Sequence, residues 1–325
     1  MFLEDALRRR SCIGKMATIV SQRYIAAMES SGPSVGRATL LIVVSALSFG
    51  SISVLTILTT ETGVPLLTAM AWRYVLGAAL LLAIIGVKQL ESVPRRRLVQ
   101  LLLIGGLGQA LITYLSLHAL EYIPVGPLAF LFYTYPAWVA LIAAVRRTEK
   151  LTSMRAIALT LALVGVTVIV GTPSTVRLNP VGVILALASA LLYSVYLPSL
   201  DHLQEGIPAL VSTFLLIVGA AVTFVIAAFF AHELYFPVTV SVWSNIVMLA
   251  LISTVIAFSA LIKGLSVLGP VRTAIVATVE PFFTAMLGVA VLGNQLTLTT
   301  LVGGILIAGA VLLIQWSSNR REAIA

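Results

Sequence analysis

Glu280 is an acidic residue inside a long apolar stretch of this sequence and is the sharpest candidate for chemistry. It lies about ten residues into the stretch, where an unpaired carboxylate in a membrane-spanning helix costs several kcal/mol. Glu280 must therefore face a cavity or a partner, or be protonated. We predict a site that binds a proton or a cation. The alternative is a structural acid that caps backbone donors or pairs with a neighbouring helix.

Arg73 is the one basic residue well inside an apolar stretch. Its guanidinium keeps its charge in proteins, so it requires an anionic group or a wet cavity. It can pair with Glu280 or hold a substrate carboxylate or phosphate. Because it lies only about eight residues into its stretch, snorkelling to the membrane surface explains it equally well.

Aromatic residues at similar depths are candidates for the wall of a pocket that receives amphipathic or cationic molecules. Tyr114, Tyr133 and Tyr193 are preferred because each is deep and carries a hydroxyl that needs a partner, and Trp72 is added beside Arg73. For any single ring, helix packing or an interfacial belt is the alternative. Polar residues at mid-depth have interhelical hydrogen bonds as their alternative role; they are Gln109, Thr113, Ser253 and Thr254.

Other chemistry finds little support in the sequence. The three histidines, at 118, 202 and 232, show no metal-ligand spacing, and the single cysteine, Cys12, excludes an internal disulfide. The phosphate-binding pattern G-x-x-x-x-G-K-[ST] does not occur, so ATP is not the expected energy source. We expect no metal and no cofactor.

Composition indicates that lipid surrounds these residues. The chain of 325 residues is 60% hydrophobic and 10% charged, with a mean hydropathy of +1.09. A soluble domain carries about 25% charged residues. Too little polar surface remains to coat a soluble fold of this size.

The apolar stretches predict an all-α integral membrane protein with ten transmembrane helices. A bilayer core requires about 20 mostly apolar residues per helix. Pro281 is expected to kink the ninth helix because it frees the Ala277 carbonyl from its helical hydrogen bond. The predicted spans are 38–59, 65–87, 98–118, 124–145, 153–171, 180–200, 208–231, 241–264, 270–292 and 298–316.

Basic residues predict the orientation. Of the 20 Lys and Arg residues, all but Arg73 and Arg177 fall on one side of these spans, which is typical of cytoplasmic loops. We therefore expect a multi-pass protein of the plasma membrane with both termini in the cytoplasm. Anionic lipid explains the formal charge of +8, and no nucleic-acid partner is expected.

Residues 1–37 are interpreted as a cytoplasmic segment. Apolar residues with a helical period alternate with arginines, as in an amphipathic helix on the inner leaflet, but Gly14 interrupts the pattern and favours a mobile tail or an extension before Met16 or Met28. A cleaved signal peptide is not expected, because no short apolar core with a cleavage site precedes residue 38.

Two halves of the chain match each other weakly at a constant offset of 145 residues, the separation of Pro136 and Pro281. We divide the chain into a first five-helix repeat, 38–172, a second, 173–316, and a tail, 317–325. Since each repeat has an odd number of spans, the two are expected to be inverted, as in many secondary transporters with a substrate site near the midplane.

This arrangement resembles the EamA-type group of the drug/metabolite transporter superfamily over residues 38–316. The resemblance is carried by Trp72-Arg73-Tyr74, by Tyr135-Pro136 and by Val279-Glu280-Pro281-Phe282-Phe283. It implies prolines that kink the fourth and ninth helices, here Pro136 and Pro281. The acidic turn Arg147-Thr148-Glu149-Lys150 also fits, but its counterpart carries Asn294, so an acid there is not expected to be indispensable.

The leading hypothesis is a secondary transporter that works by alternating access and is not an enzyme. The resemblance implies export of small metabolites such as amino acids, or of drug-like compounds. Protons are a candidate partner through Glu280, and uncoupled facilitation fits equally well. An intramembrane lipid-modifying enzyme is the rival, although no acidic or His/Asp cluster supports it, and a non-transporting scaffold is a third possibility. Substrate, direction and oligomeric state stay open.

Overall fold

Helices form nearly all of the secondary structure in the part of this protein that is described. A computed structural model describes residues 35–86, 89–90, 93–119, 121–123, 125–148, 152–170, 179–237, 239–292 and 298–322. Within these ranges no β-strand occurs. Most of the predicted N-terminal segment, 1–34, and the last three residues of the predicted tail lie outside them.

Eleven helices are assigned within the described ranges. They are α1 (Val35–Thr60), α2 (Leu66–Ile85), α3 (Arg95–Ala119), α4 (Val125–Phe132), α5 (Tyr135–Val145), α6 (Ser153–Val170), α7 (Pro180–Leu203), α8 (Ala209–Phe230), α9 (Val240–Ala277), α10 (Glu280–Leu292) and α11 (Leu298–Glu322).

Six of these helices, α1, α2, α3, α7, α8 and α9, are long and apolar enough to cross a membrane. Four shorter helices, α5, α6, α10 and α11, are also apolar. The prediction of an all-helical membrane protein is confirmed. Helix α11 continues beyond residue 316, where the sequence predicted a tail.

Prolines mark several helix starts, as their chemistry requires. Pro65 and Pro208 precede α2 and α8 with extended backbone, and Pro180 is the first residue of α7. The missing N–H of proline costs nothing in a first turn, where no helical acceptor is available. Asn179 completes the start of α7, since its side chain accepts a hydrogen bond of 2.9 Å from the Val181 N–H.

The predicted fourth and ninth spans are each interrupted near mid-length. A turn at Tyr133 and Thr134 separates α4 from α5, two residues before Pro136. A turn at Thr278 and Val279 separates α9 from α10, just before Glu280 and Pro281. Proline removes one hydrogen bond and clashes with the preceding turn, so a continuous helix is disfavoured at both places.

Helix α9 contains a second interruption at Gly269, which has φ 73° and ψ 168°. A residue with a side chain rarely adopts this conformation, whereas glycine does so freely. Pro270 follows and begins the next helical stretch. The predicted boundary between the eighth and ninth spans thus falls at this turn.

Two helices carry a π-helical stretch, Leu101–Leu107 in α3 and Leu251–Ile256 in α9. In the second, the Thr254 hydroxyl donates to the Leu249 carbonyl five residues earlier, at 3.0 Å. Such stretches leave backbone carbonyls available to groups outside the helix and are frequent at functional sites.

The helices pack in a small number of close pairs. Helix α1 packs against α9 and α10, and α7 packs against α3, α4 and α5. Helix α2 packs against α8, and α6 packs against α11. Small residues permit the closest approaches: a Cβ atom on Gly106 of α3 would lie 2.3 Å from the backbone of Gly219 in α8. Such contacts are typical of membrane helices.

Candidate functional site

A cavity of about 350 Å³ lies among α1 to α5, with contributions from α7, α9 and α10. Its size falls in the range of pockets that hold small molecules. The wall is mostly apolar and aromatic, and it includes two charged residues, Arg73 and Glu280, with Gln109, Thr113 and several tyrosines. Two of the four polar residues expected at mid-depth, Gln109 and Thr113, thus line this cavity.

The cavity lies toward one face of the helix bundle. In α1 it extends to Thr56 and Ile57, near the end of that helix at Thr60. The lining residues of α2 lie near the helix end that follows residues 61–65, and those of α3 lie toward the end that precedes residues 121–123. Tyr193, Ala277 and Glu280 lie in the middle part of their predicted spans, whereas Phe258 and Leu261 lie closer to the end of theirs at residue 264. Residues at or beyond mid-depth therefore form its floor.

Arg73 is buried beside the cavity, with 1% of its surface exposed. Its Nε donates to the Thr254 hydroxyl at 2.6 Å and its Nη2 to the Ser253 carbonyl at 2.8 Å. Both acceptors belong to the π-helical stretch of α9. The guanidinium also lies 5.0 Å from the centre of the Tyr74 ring.

None of these Arg73 partners carries a negative charge. The side chain does not extend to the surface, as the snorkelling alternative required, and its hydrogen bonds do not go to Glu280. Three of its five N–H groups are used, counting one contact of 3.6 Å from Nη1 to the Met70 sulfur. The remaining donors and the uncompensated charge suit an anionic group in the cavity.

Glu280 is the first residue of α10, directly after the Thr278–Val279 turn. It is half-buried, and its carboxyl group faces the Tyr133 hydroxyl, with Tyr135 and Tyr193 close by. A carboxyl group among tyrosine hydroxyls can bind a proton or a cationic group.

Tyrosine rings connect the cavity wall across α5 and α7. The Tyr135 and Tyr193 rings are perpendicular with centres 4.7 Å apart, and Tyr133 lies 6.3 Å from Tyr135. Tyr196, one turn after Tyr193, donates its hydroxyl to the Gly105 carbonyl at 3.0 Å. Gly105 belongs to the π-helical stretch of α3. Each π-helical stretch thus accepts a hydrogen bond from a buried side chain of another helix.

Two predicted residues, Tyr114 and Trp72, are not among the cavity-lining residues. Tyr114 is 48% exposed, and its ring stacks on His118 with centres 5.4 Å apart. Trp72 donates its Nε1 to the Tyr235 carbonyl at 2.9 Å and packs against Phe236 and Trp243. Both are half-buried or exposed because their positions face away from the cavity on α3 and α2.

Tyr135 is one of the aromatic residues at similar depth that the sequence offered as pocket candidates, but it was not among the preferred residues. The structure places its ring between those of Tyr133 and Tyr193. Phe258 was a candidate in the same way, whereas Phe49 was overlooked. The two rings meet edge to face at the cavity wall, with centres 4.9 Å apart. A signal was available for Tyr135, because the 145-residue offset relates it to Glu280. Phe49 carries no such signal.

No group of three or more His, Cys, Asp and Glu side chains that could hold a metal ion occurs in the part of the chain that the structure describes. The site chemistry available there is therefore that of one carboxyl group, one guanidinium, hydroxyl groups and aromatic rings.

Comparisons with known proteins agree with this architecture. The sequence profile of the EamA-like transporter family matches residues 36–171 and again residues 180–316. A Salmonella typhimurium protein described as "Uncharacterized inner membrane transporter YicL" is 30% identical over 197 residues. That alignment covers 58% of this chain and 62% of the relative, which is less than two thirds of its length.

A solved structure described only as "Crystal structure of protein" shares the fold. It superposes with a TM-score of 0.73 and covers 89% of this chain and 100% of its own, at 20% sequence identity. At this identity the likeness concerns the fold alone.

Proposed function

This chain belongs to the EamA-like transporter family, and we propose that it moves small molecules across the cytoplasmic membrane by alternating access between two inverted halves. It is a multi-pass membrane transporter and not an enzyme. The observation that supports the proposal is the cavity, whose wall includes both Arg73 and Glu280 within an apolar bundle. Charged residues inside such a bundle are costly and mark substrate or ion paths.

Ten crossings are part of the proposal. Helices α4 and α5 together form one crossing, broken at its middle, and α9 divides at Gly269 so that its last turns join α10. Each half then contains five crossings. The two separate profile matches support this division, since 36–171 and 180–316 are close to the proposed repeats, 38–172 and 173–316.

The pattern of helix pairs supports a pseudo-two-fold axis between the halves. The proposed axis exchanges the first crossing with the sixth, and the third with the eighth. It therefore converts the contact of α1 with α9 into the contact of α7 with α3, and both contacts occur. The same axis exchanges α2 with α8, and α6 with α11, so each of these two pairs is mapped onto itself. Inverted repeats of secondary transporters bind substrate at such an interface.

The residues that line the cavity also support a two-fold relation between the halves. Four pairs of lining residues are related by the 145-residue offset, one member in each half. They are Thr113 with Phe258, Ser116 with Leu261, Phe132 with Ala277, and Tyr135 with Glu280. Both halves therefore contribute equivalent positions to the centre of the site, which supports a substrate site on the axis.

We assign the basic face to the cytoplasm, with both termini there, because basic loops resist translocation. The cavity extends toward the opposite face, near residues 61–65 and 121–123, so it belongs to an outward-facing arrangement. The chain carries no Lys or Arg in these two segments.

The substrates that fit best are amino acids or related amphipathic metabolites, moved outward. Arg73 offers a fixed positive charge to a carboxylate, Glu280 receives an ammonium group or a proton, and Tyr133 and Tyr193 contact the rest of the molecule. Drug-like organic cations would use Glu280 and the rings without Arg73. Coupling to protons and uncoupled facilitation both remain compatible with these residues.

Efflux from preloaded proteoliposomes containing the purified chain tests the function. A panel of amino acids, organic cations and sugars is loaded, and release is compared with empty liposomes at several pH values. We expect release of amino acids, reduced strongly in Glu280→Gln. Release of no compound above empty liposomes would contradict the proposal, as expected for a non-transporting scaffold.

A further inference from the structure

Arg73 presents one edge of its planar guanidinium to α9 and keeps the other edge open. Nε and Nη2 form the edge that donates to the Thr254 hydroxyl and the Ser253 carbonyl. Within the described part of the chain, Nη1 makes the single long contact of 3.6 Å to the Met70 sulfur. Met70 lines the cavity, as does Tyr74, whose ring centre lies 5.0 Å from the guanidinium carbon. The edge formed by Nη1 and Nη2 therefore adjoins the cavity.

Thr254 can act toward Arg73 only as an acceptor. A hydroxyl carries one hydrogen, and Thr254 donates its hydrogen to the Leu249 carbonyl at 3.0 Å. Only lone pairs then remain for the Arg73 Nε, which lies 2.6 Å away. The Leu249 carbonyl lies five residues before Thr254, so this direction of the hydroxyl depends on the π-helical winding of α9.

The two acceptors of Arg73 are themselves held by neighbouring helices. A Cβ atom on Gly77 of α2 would lie only 3.1 Å from the Thr254 methyl carbon, so that side chain is packed closely against α2. In α1, Ser51 donates its one hydrogen to the Ser48 carbonyl at 2.7 Å. The Ser253 hydroxyl must therefore donate to Ser51, also at 2.7 Å. Contacts with α1 and α2 thus fix Ser253 and Thr254.

We propose that Thr254 is a positioning residue, which holds Arg73 so that its Nη1–Nη2 edge binds both oxygens of a substrate carboxylate. The inference rests on the proposed function, in which Arg73 meets the anionic end of the substrate. A guanidinium edge and a carboxylate match in two parallel hydrogen bonds, which require orientation as well as charge. Because the Arg73 partners in the described residues are not acids, neutral oxygens set that orientation.

This role predicts an effect that depends on the substrate. A substrate with a carboxylate uses the oriented edge of Arg73, whereas one without a carboxylate does not. Loss of the Thr254 acceptor should therefore raise KM for the first kind of substrate selectively. If Thr254 only supported the fold, its loss would affect both kinds alike.

Two substitutions at position 254 test the inference in the full-length chain. Thr254→Val keeps the shape and removes the acceptor, and Thr254→Ser keeps the acceptor. Efflux from proteoliposomes gives KM for a released amino acid and for its amide, which lacks the carboxylate. For Thr254→Val we expect KM of the amino acid to rise about tenfold, as for a lost hydrogen bond to a charged group, and KM of the amide to stay within about twofold. Thr254→Ser should keep the ratio of the unmodified chain.

Thr213→Val is the matched control, because Thr213 is fully buried and its hydroxyl donates to the Ala209 carbonyl of its own helix, α8. It should leave both KM values unchanged. If Thr254→Val does not insert, Gly77→Ala replaces it, since the added methyl group displaces Thr254. We expect Gly77→Ala to raise KM of the amino acid in the same direction by a smaller factor.

Three results would contradict these proposals. Equal KM of the amino acid in Thr254→Val and Thr254→Ser, in chains that release substrate, would overturn the inference and leave the proposed function intact. Equal KM of the amino acid and its amide in the unmodified chain would overturn it as well, since the carboxylate would then contribute nothing. Release of no compound by the unmodified chain would instead count against the proposed function itself.

Discussion

At the scale of single residues, the site depends on a guanidinium and a carboxyl group that do not form an ion pair with each other. Arg73 is bound by neutral oxygens of α9, and Glu280 faces the Tyr133 hydroxyl. Because the two groups do not bind each other, both remain available to a ligand. This arrangement differs from a structural ion pair, in which each charge would be consumed by its partner.

Glu280→Gln tests the acidic side of the site. The amide preserves size and hydrogen bonding to Tyr133 but cannot take up a proton or balance a cation. We expect efflux of amino acids to fall at least about tenfold, the effect of about 1.4 kcal/mol, and to lose its dependence on pH. The proteoliposome assay measures both. Glu121→Gln, at an exposed acid, is the control, and unchanged flux and pH dependence in Glu280→Gln would remove this residue from the mechanism.

Arg73→Lys tests the role of the Arg73 guanidinium in the site. Lysine keeps the charge but cannot reproduce the planar fork that binds Ser253 and Thr254 together. We expect a loss of about 1.5–3 kcal/mol of stability, as for a buried hydrogen bond to a charged group, with weaker apparent affinity for substrates that carry a carboxylate.

Thermal unfolding in detergent and KM for two substrate types separate the two effects of Arg73→Lys. A purely structural arginine would lower the unfolding temperature and leave the ratio of KM values for carboxylate-bearing and cationic substrates unchanged. Arg96→Lys, at an exposed residue, should alter neither quantity.

Sequence reasoning located the charged residues at this scale but not all of the rings. The depth of Arg73 and Glu280 follows from counting along apolar stretches. The direction in which Tyr114 points does not, because a membrane helix is apolar on all sides and its pattern has no polar face to mark the outside. The exposed ring of Tyr114 and the lining ring of Tyr133 therefore look alike in the sequence.

At the scale of elements, close packing depends on small residues between particular helices. Gly106 in the π-helical stretch of α3 touches the backbone of Gly219, whereas a Cβ atom on its neighbour Gly105 would have ordinary contacts at 3.6–3.7 Å. These adjacent glycines allow the effect of packing to be separated from the effect of helix propensity.

Gly106→Ala should destabilise the protein by about 1–3 kcal/mol, because the added methyl group forces α3 and α8 apart. Gly105→Ala is the matched control and should be neutral or slightly stabilising, since alanine is the better helix former. Thermal unfolding of the two purified variants measures the difference. Equal unfolding temperatures would mean that α3 and α8 are not packed as described.

The positions of the prolines allowed the interruptions of two helices to be predicted from the sequence. Pro281 and its counterpart Pro136 indicated where the fourth and ninth spans are disturbed, and turns occur next to both. The π-helical stretches could not be predicted, because no residue type in Leu251–Ile256 specifies them. They depend on tertiary contacts such as the hydrogen bond from Arg73 to the Ser253 carbonyl.

At the scale of the whole molecule, the proposed mechanism uses two halves with opposite orientations. The odd number of predicted spans in each half predicted this inversion from the sequence, and the family profile matches each half once. Which helices pair could not be predicted, because almost all of them are apolar and contact choice depends on shape. The pairs α1 with α9 and α7 with α3 emerge only from the structure.

Epitope tags test this topology directly. A tag inserted after residue 171 should be accessible from outside intact cells, and a tag placed after residue 316 should be accessible only after permeabilisation. Five crossings separate the two positions, so they must lie on opposite sides. Detection of both tags on the same side would exclude five crossings in the second half and, with them, the proposed inverted repeat.

The π-helical stretch of α9 affects the direction in which the side chains that follow it point. A π turn is equivalent to one surplus residue in an α-helix, and each residue of an α-helix advances the azimuth by about 100°. Deleting a single residue from Leu251–Ile256 would therefore restore α-helical winding and leave Phe258 and Leu261 facing their present neighbours. The same deletion between Ala257 and Leu268 has no surplus residue to remove, so it would rotate every following residue of that segment by about 100°.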